Sequence, residues 1–328
     1  MNQPTPNISV VICTRNRADS LKITLDCLAS ANREGILAEV IVVDNAGTDH
    51  AREIAESFNL RIPVRYLYEP RTKEFGKCHA LNRALDSGGL GEIIAVLDDD
   101  MSPDPNWFRG VMALCNRWPQ KDIFAGNTYV MWPSENVPGW AKKPTLQSSI
   151  FSSYNVGRAD AHLQEGWYSG NHFWFRSRVL ASGKRFKDIW ITEGDFQLDL
   201  VELGFEGVSG PDAIAGHRIQ PALLRREVVL ERAKTTGACM ARLRAQPSRK
   251  KVKQARLFAE HPFAAQVFCA VNYIRWSFLY LVSYLYPFDA RRFEHKVIAL
   301  ERMAACREYL RMANQPEHPA AEVEARAH

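Results

Sequence analysis

The 328-residue sequence has no C-x-x-C pair among its seven cysteines (13, 27, 78, 115, 239, 269 and 306). Scattered and odd in number, they indicate neither a zinc site nor a disulfide framework, and they suit a reducing compartment. There is no G-x-G-x-x-G after the first apolar run and no G-x-x-x-x-G-K-[ST]. A glycine loop is therefore not the device that would hold phosphate. The opening MNQPTPNISVVICT has no basic stretch and no apolar stretch of signal-peptide length, which predicts a cytoplasmic protein. Internal repeats and low-complexity tracts are missing too.

What is present is an ordinary globular composition, 46% hydrophobic and 24% charged, long enough for one large domain or two smaller ones. The net charge of +5 hides an asymmetry: residues 1–216 carry 22 Lys+Arg against 27 Asp+Glu, and residues 217–328 carry 20 against 10. A basic C-terminal third points to an anionic partner such as nucleic acid, phospholipid or a phosphorylated substrate, or to a solvated basic surface.

The first hundred residues alternate. ISVVIC (8–13), EVIVVD (39–44), VRYLY (64–68) and EIIAVL (92–97) read as buried strands. Residues 18–32, 48–58 and 77–88 read as helices, the first with Leu21, Leu25 and Leu28 at helical spacing. This order predicts right-handed βαβ units and a parallel sheet covered on both faces. Ligands of such sheets bind beyond the carboxyl ends of the strands. Those ends are polar every time: Thr14-Arg15-Asn16-Arg17, Asp44-Asn45, Glu69-Pro70-Arg71, and Asp98-Asp99-Asp100.

Three adjacent carboxylates repel one another. In an extended chain residues i and i+2 share a side, so Asp98 and Asp100 can converge on one cation while Asp99 faces elsewhere. Hard oxygen ligands suit Mg2+ or Mn2+, which take further ligands from phosphate and water. Without the cation, the repulsion predicts a poorly ordered loop from Met101 to Pro105. A haloacid-dehalogenase-type Asp-x-Asp nucleophile fits less well, because that motif normally follows the first strand and this one continues Met101-Ser102.

With SVVICTRNR (9–17), VIVVDNAGTD (40–49), EFGKCHALNRAL (74–85), EIIAVLDDDMSPDPNW (92–107), YSGNHFWFRSRVL (168–180), TEGDFQLDLVELGF (192–205) and His217 in this order, the chain resembles a family 2 glycosyltransferase. The resemblance implies an α/β GT-A-type fold: a Rossmann-like, mostly parallel sheet flanked by helices, followed by a helical C-terminal extension. Residues 1–100 would form the nucleotide-binding half of this domain and 101–220 its acceptor-binding half. Thr14, Arg15, Asn16, Asp44 and Asn45 would line the donor nucleotide pocket, and Asp99 would lie near the ribose or sugar. Asp98 and Asp100 would bind Mn2+ or Mg2+, with His217 a late metal or diphosphate contact. Lys77 and Asn82 are further donor-side candidates, and so are Arg225 and Arg226 as bidentate phosphate donors. Ser169-Gly170-Asn171 stands where the family has Gly-Gly-Asn, so Gly170 and Asn171 join the donor list. The implied reaction is inverting transfer from a nucleoside-diphosphate sugar, UDP-sugar favoured, to a glycan or lipid-linked acceptor, with no nucleic acid partner. The oligomeric state stays open.

The family's base comes from a Glu-Asp pair opening a helix. Here Thr192-Glu193-Gly194-Asp195 splits the pair. Counting back from Gly204 favours Glu193; matching the acidic chemistry favours Asp195, the slight preference here. A sugar-nucleotide nucleotidyltransferase is a rival, though TRNRADS lacks the glycines of its usual loop. A non-catalytic donor-binding scaffold is another, kept alive by the split pair.

Residues 223–258 read as basic helices, with Gly237 a possible break. Residues 262–287 are long, apolar and aromatic, with Asn272 and Arg275 in the middle. Arg there is costly at a bilayer centre. The stretch reads as an interfacial helix or hairpin on an anionic membrane, placing the protein at the inner face of the cytoplasmic membrane, or as a buried helix over the catalytic domain. Residues 132–167 are rich in Trp and Pro and read either as acceptor-side aromatics or as core packing. Residues 221–313 would form the helical region, and the composition of 314–328 predicts a disordered tail.

Overall fold

The computed structural model describes residues 7–71, 77–162, 170–245, 260–286 and 288–313. The first apolar run is β1 (Ile8–Thr14), every residue buried. Its alternating side chains feed two cores. Val10 and Ile12 pack with Leu21, Leu25 and Leu28 of α1 (Ala18–Ser30). Val11 and Cys13 pack on the other face with Cys78 and Leu81 of α3 (Lys77–Leu85).

Parallel pairing joins β1 to β2 (Ala38–Asn45) and to β4 (Ile93–Asp98), and β2 to β3 (Val64–Glu69). The helix α2 (Ala51–Ser57) connects β2 to β3. This half matches the alternating pattern of the sequence, and it sets the ends of β1, β2 and β4 side by side.

The other half of the sheet is mixed. β8 (His172–Arg176) runs antiparallel to β4, and β6 (Ile123–Met131) antiparallel to β8. The long β9 (Gly207–Arg218) runs parallel to β6. Short β5 (Met101–Pro103) and β7 (Ala161–His162) each add to β9 antiparallel. The full order is β3-β2-β1-β4-β8-β6-β9-β5. The helices α4 (Trp107–Arg117), α5 (Pro144–Ser149) and α6 (Thr192–Glu202) belong to this half. Its core is aromatic: Trp107 meets Phe108 edge to face, and Phe124 stacks on Trp174.

The loop expected after the aspartates is instead the strand β5. Met101 is fully buried and pairs with His217, as Ser102 does with Gly216. Backbone pairing supplies the order that charge repulsion alone would deny.

The chain divides into two compact units, residues 1–137 with 144–223, and residues 138–143 with 224–328. The second unit contains α7 (Arg226–Ala245), α8 (Pro262–Val282) and α9 (Asp289–Ala313). Trp140 is buried against Phe293, ring centroids 4.6 Å apart. It is a packing residue of this unit and offers no free face for a sugar. Residues 246–259 and the tail 314–328 lie outside the described residues.

Gly237 does not break α7, which runs unbroken through it. Its role is close approach: a Cβ there would stand 2.0 Å from the carbonyl oxygen of Glu301 on α9. Backbone on both sides leaves nothing to yield. Gly237→Ala is expected to destabilise the helical unit by about 1–3 kcal/mol, read as a lower thermal midpoint, with Gly35→Ala not a suitable control because that glycine holds φ +71°.

Candidate active site at the carboxyl ends of the strands

The end of β2 is shaped by its own carboxylate. Asp44 Oδ2 accepts from the Tyr66 hydroxyl at 2.8 Å and Oδ1 from the Gly47 amide at 2.7 Å. The intervening Ala46 holds φ +52°, a conformation that costs a residue with a Cβ about 1–3 kcal/mol. Asn16, after β1, also has positive φ (+53°), which Asn tolerates better. Its Oδ1 accepts from the Thr48 amide at 2.7 Å, so the β1 and β2 ends are tied together. Arg15 and Asn16 are exposed; Thr14 and Asn45 are buried.

β4 stops at Asp98, and Asp99 and Asp100 form a turn. The chain is not extended through the three aspartates, so they divide differently from the i, i+2 expectation. Arg17 takes both turn residues, Nη1 on Asp99 and Nη2 on Asp100, each at 2.7 Å. Thr14 Oγ1 donates to Asp99 at 2.8 Å. Asp98 instead contacts Lys77 Nζ, which also reaches Glu193. Arg218 supports the turn from behind, donating to the carbonyls of Asp99 (3.0 Å) and Met101 (2.6 Å) and to Ser102 Oγ (2.6 Å). Ser20 and Thr24 hydroxyls reach the same Asp99 carbonyl.

Charges follow from this packing. Burial pushes the Asp99 carboxyl up to about 7, against the opposing pull of Arg17. Burial would raise Asp100 as well, but His217 and Arg17 hold it well below the usual carboxylate range.

The Met101–His217 pairing places His217 Nε2 3.6 Å from Asp100 Oδ1. That oxygen is buried and makes no hydrogen bond. His217 Nδ1 lies 2.8 Å from the Phe151 carbonyl; a carbonyl only accepts, so the proton is on Nδ1 and a neutral ring turns its Nε2 lone pair toward Asp100. Two acceptors facing each other in a buried site require a positive charge between them, a proton or a metal ion. Carboxylate oxygens with one imidazole, oriented by a carbonyl behind it, fit Mn2+ or Mg2+. A softer grouping, Cys78, His79 and Asp188, has ligand atoms within 4.8 Å of one another.

Glu193 and Asp195 open α6. Two residues in a helix are about 200° apart, so they face different ways. Glu193 meets Lys77 and lies under Gly170, where a Cβ would stand 3.1 Å from Glu193 Cβ. Asp195 is fully buried, with Lys187 Nζ 2.9 Å from its Oδ2 and 2.8 Å from Asp199. Asn171 sits beside Asp98, whose amide donates to the Asn171 carbonyl at 3.3 Å.

Asn82 is engaged elsewhere: its amide exchanges two 2.9 Å bonds with the Phe186 backbone, bracing the segment before α6. Arg225 and Arg226 belong to the second unit. Arg226 pairs with Asp289 and lies over the Phe293 ring, and exposed Arg225 is 3.9 Å from Glu227. Arg17, Arg218, Lys187 and Tyr66 join the site without having been among its expected residues. Arg17 had a signal, its place in the polar run ending β1; the others lie outside every recognisable motif.

Solved structures share this frame. A mannosyltransferase of Pyrobaculum calidifontis, solved with GDP-Man and Mn2+, superposes with a TM-score of 0.55 at 19% identity, over 93% of this chain and 87% of that one. Staphylococcus aureus TarS gives 0.52 at 15% identity, over 91% of this chain and 55% of its own. The fold is of the GT-A type. The family model for glycosyl transferase family 2 matches residues 9–180, just over half the chain, and the chain belongs to that family. Among curated proteins it is 36% identical to the chondroitin synthase of Escherichia coli over 110 residues, 33% of this chain and 15% of that protein. It is 30% identical to glycosyltransferase AglE of Haloferax volcanii over 140 residues, 41% of this chain and 43% of that one. The chain spans less than half the length of either relative in these matches.

His172, beside Asn171, is wholly buried between Trp107 Nε1 (2.7 Å) and Thr128 Oγ1 (3.2 Å). Burial pulls its imidazole from 6.5 down to about 3. The folded protein keeps this ring neutral, so its contribution is complete above pH 6.5 and is lost as pH falls from 6.5 toward 3. Stability to urea is expected to fall more steeply over that window in the wild type than in His172→Asn.

Proposed function

We propose that this chain is a metal-dependent, inverting glycosyltransferase that moves a sugar from a nucleoside-diphosphate donor to a hydroxyl of a glycan or lipid-linked acceptor. The observation that carries the reading is the Asp100–His217 pair, buried and facing across 3.6 Å beside Asp98 and Asp99. A UDP-sugar is the favoured donor. Residues 1–100 serve as its half of the domain and 101–220 as the acceptor half.

Thr14, Asn16, Asp44 and Asn45 receive the nucleoside, with Tyr66 fixing the Asp44 carboxylate. Asp99, steadied by Thr14 and Arg17, faces the ribose or sugar. Asp100 and His217 would hold Mn2+ or Mg2+, joined by Asp98 when the ion takes the place of Lys77 there. Bound there, a divalent cation would supply positive charge for the departing diphosphate. The acceptor hydroxyl attacks the anomeric carbon from the opposite side, and Glu193 takes its proton. Glu193 is assigned over Asp195 because Lys77 links it to Asp98, while Asp195 is enclosed and held by Lys187. Gly170 leaves room for Glu193 against the backbone. The protein acts peripherally, at the inner face of the cytoplasmic membrane.

Two measurements test this. UDP with Mn2+ is expected to raise the thermal midpoint by mass action, and Asp100→Asn or His217→Ala to abolish the Mn2+-dependent part; an equal shift in both variants would sink the metal assignment. With any accepted donor, Glu193→Gln is expected to lower kcat by about 10²–10⁴ while the UDP/Mn2+ shift persists. Asp195→Asn is expected to act mainly on stability. If Asp195→Asn alone kills turnover in a folded protein, the base is Asp195.

A further inference from the structure

The helix α8 is apolar on two opposite sides. Ala265 and Cys269 are buried on the inner side with Cys306, Tyr309 and Leu310. On the outer side Phe263 (78% exposed), Val267, Val271, Ile274 (69%), Phe278 (64%), Leu281 and, just beyond the helix, Leu285 (80%) are open to solvent. Successive members are three or four residues apart. They form one straight ridge, roughly 30 Å long at 1.5 Å per residue. An unbroken exposed apolar surface of this size marks something that covers it.

Charge chooses among the occupants. Residues 217–328 carry 20 Lys+Arg against 10 Asp+Glu. Arg275 is exposed beside the ridge, and Arg291 is exposed past its C-terminal end. Lys296 stands 3.5 Å over the ring of Tyr284, itself exposed beside the ridge's end. The sequence leading into α8, RKKVKQAR (249–256), has five cations and no acid. A second copy would bring the same cations to the same face, and like charges would oppose the contact. An anionic lipid surface offers apolar depth and the opposite charge together. The ridge is one-sided and its inner face is already packed, and among the described residues no helix is long and apolar enough to cross a membrane.

We propose that α8 lies in the plane of an anionic bilayer, its ridge entering the acyl boundary and Arg275 and Arg291 meeting lipid phosphates. This deepens the peripheral-membrane part of the function proposed above and is independent of the transfer chemistry.

The test is sedimentation of the full chain with vesicles of phosphatidylcholine alone or mixed with phosphatidylglycerol. The wild type is expected to bind the anionic vesicles, and added salt to weaken binding. Ile274→Glu with Phe278→Glu, both on the exposed ridge, is expected to reduce partitioning by about a hundredfold. Arg275→Glu is expected to reduce it by about tenfold or more on anionic vesicles only. No binding, equal binding to both vesicle types, or equal binding by the double variant overturns the proposal. So does a wild-type dimer in light scattering that the double variant converts to monomer without vesicle binding, which would assign the ridge to a second copy. The UDP/Mn2+ thermal shift reads the other unit separately. A chain that ignores vesicles but keeps the shift refutes this inference alone; one that binds vesicles without the shift refutes the transferase reading alone.

Discussion

Three neighbouring carboxylates at the end of a buried strand are the constraint on which the rest of this site depends. The protein meets it by folding the chain at Asp99 and giving each carboxylate a different partner. Asp98 goes to Lys77, Asp99 to Arg17 and Thr14, and Asp100 to Arg17 and His217. These partners come from β1's terminal run, α3 and β9, three elements far apart in sequence. Placing charge here therefore links the two halves of the sheet through specific pairs. Arg218 illustrates the cost of the turn: one guanidinium is committed to the carbonyls of Asp99 and Met101 and to Ser20 and Thr24 of α1 beside them.

The same arrangement separates two kinds of acid. Those at the rim retain one oxygen or one neighbour that a ligand could replace. Those behind it, such as Asp195 and Asp199 with Lys187, are enclosed. Position on one helix is enough to make the difference, since 200° of rotation divides Glu193 from Asp195.

The parallel half of the fold was legible because each strand and helix there carries its own local pattern, and because strand ends in such sheets gather ligands. The mixed half was not. β6, β8 and β9 obtain their pairing from contacts 40 or more residues apart, and HFWFR or GVSGPDAIAGHR does not reveal a partner. Among the residues that the fold gathers at the strand ends, those in compact motifs were legible as a group. Arg218 and Lys187 were not, because a cation's role is set by where its tip arrives, and four flexible bonds separate that tip from the backbone. Asn82 and Gly237 misled for the opposite reason: each has a familiar local meaning that long-range packing displaced. Trp140 had two readings, and only the packing on Phe293 chooses the core.

The pairing between β6 and β9 contains an irregularity: Ala125 faces Ser209 and Asn127 faces Ile214, so four residues of β9 (210–213) stand against Gly126 alone. Beyond that bulge the ladder runs in strict register to Val130–His217 and Met131–Arg218, with Met101–His217 on the other edge. Those four residues are packed closely: a Cβ on Gly110 would stand 2.4 Å from the Asp212 carbonyl oxygen, and one on Gly126 2.1 Å from that of Ala213. A residue gained between Ile214 and Gly216 would bring Gly216 opposite Met101 and leave Asp100 facing no imidazole. β9 thus acts as a graduated ruler, pinned where glycines of α4 and β6 let its backbone in and read out at Asp100.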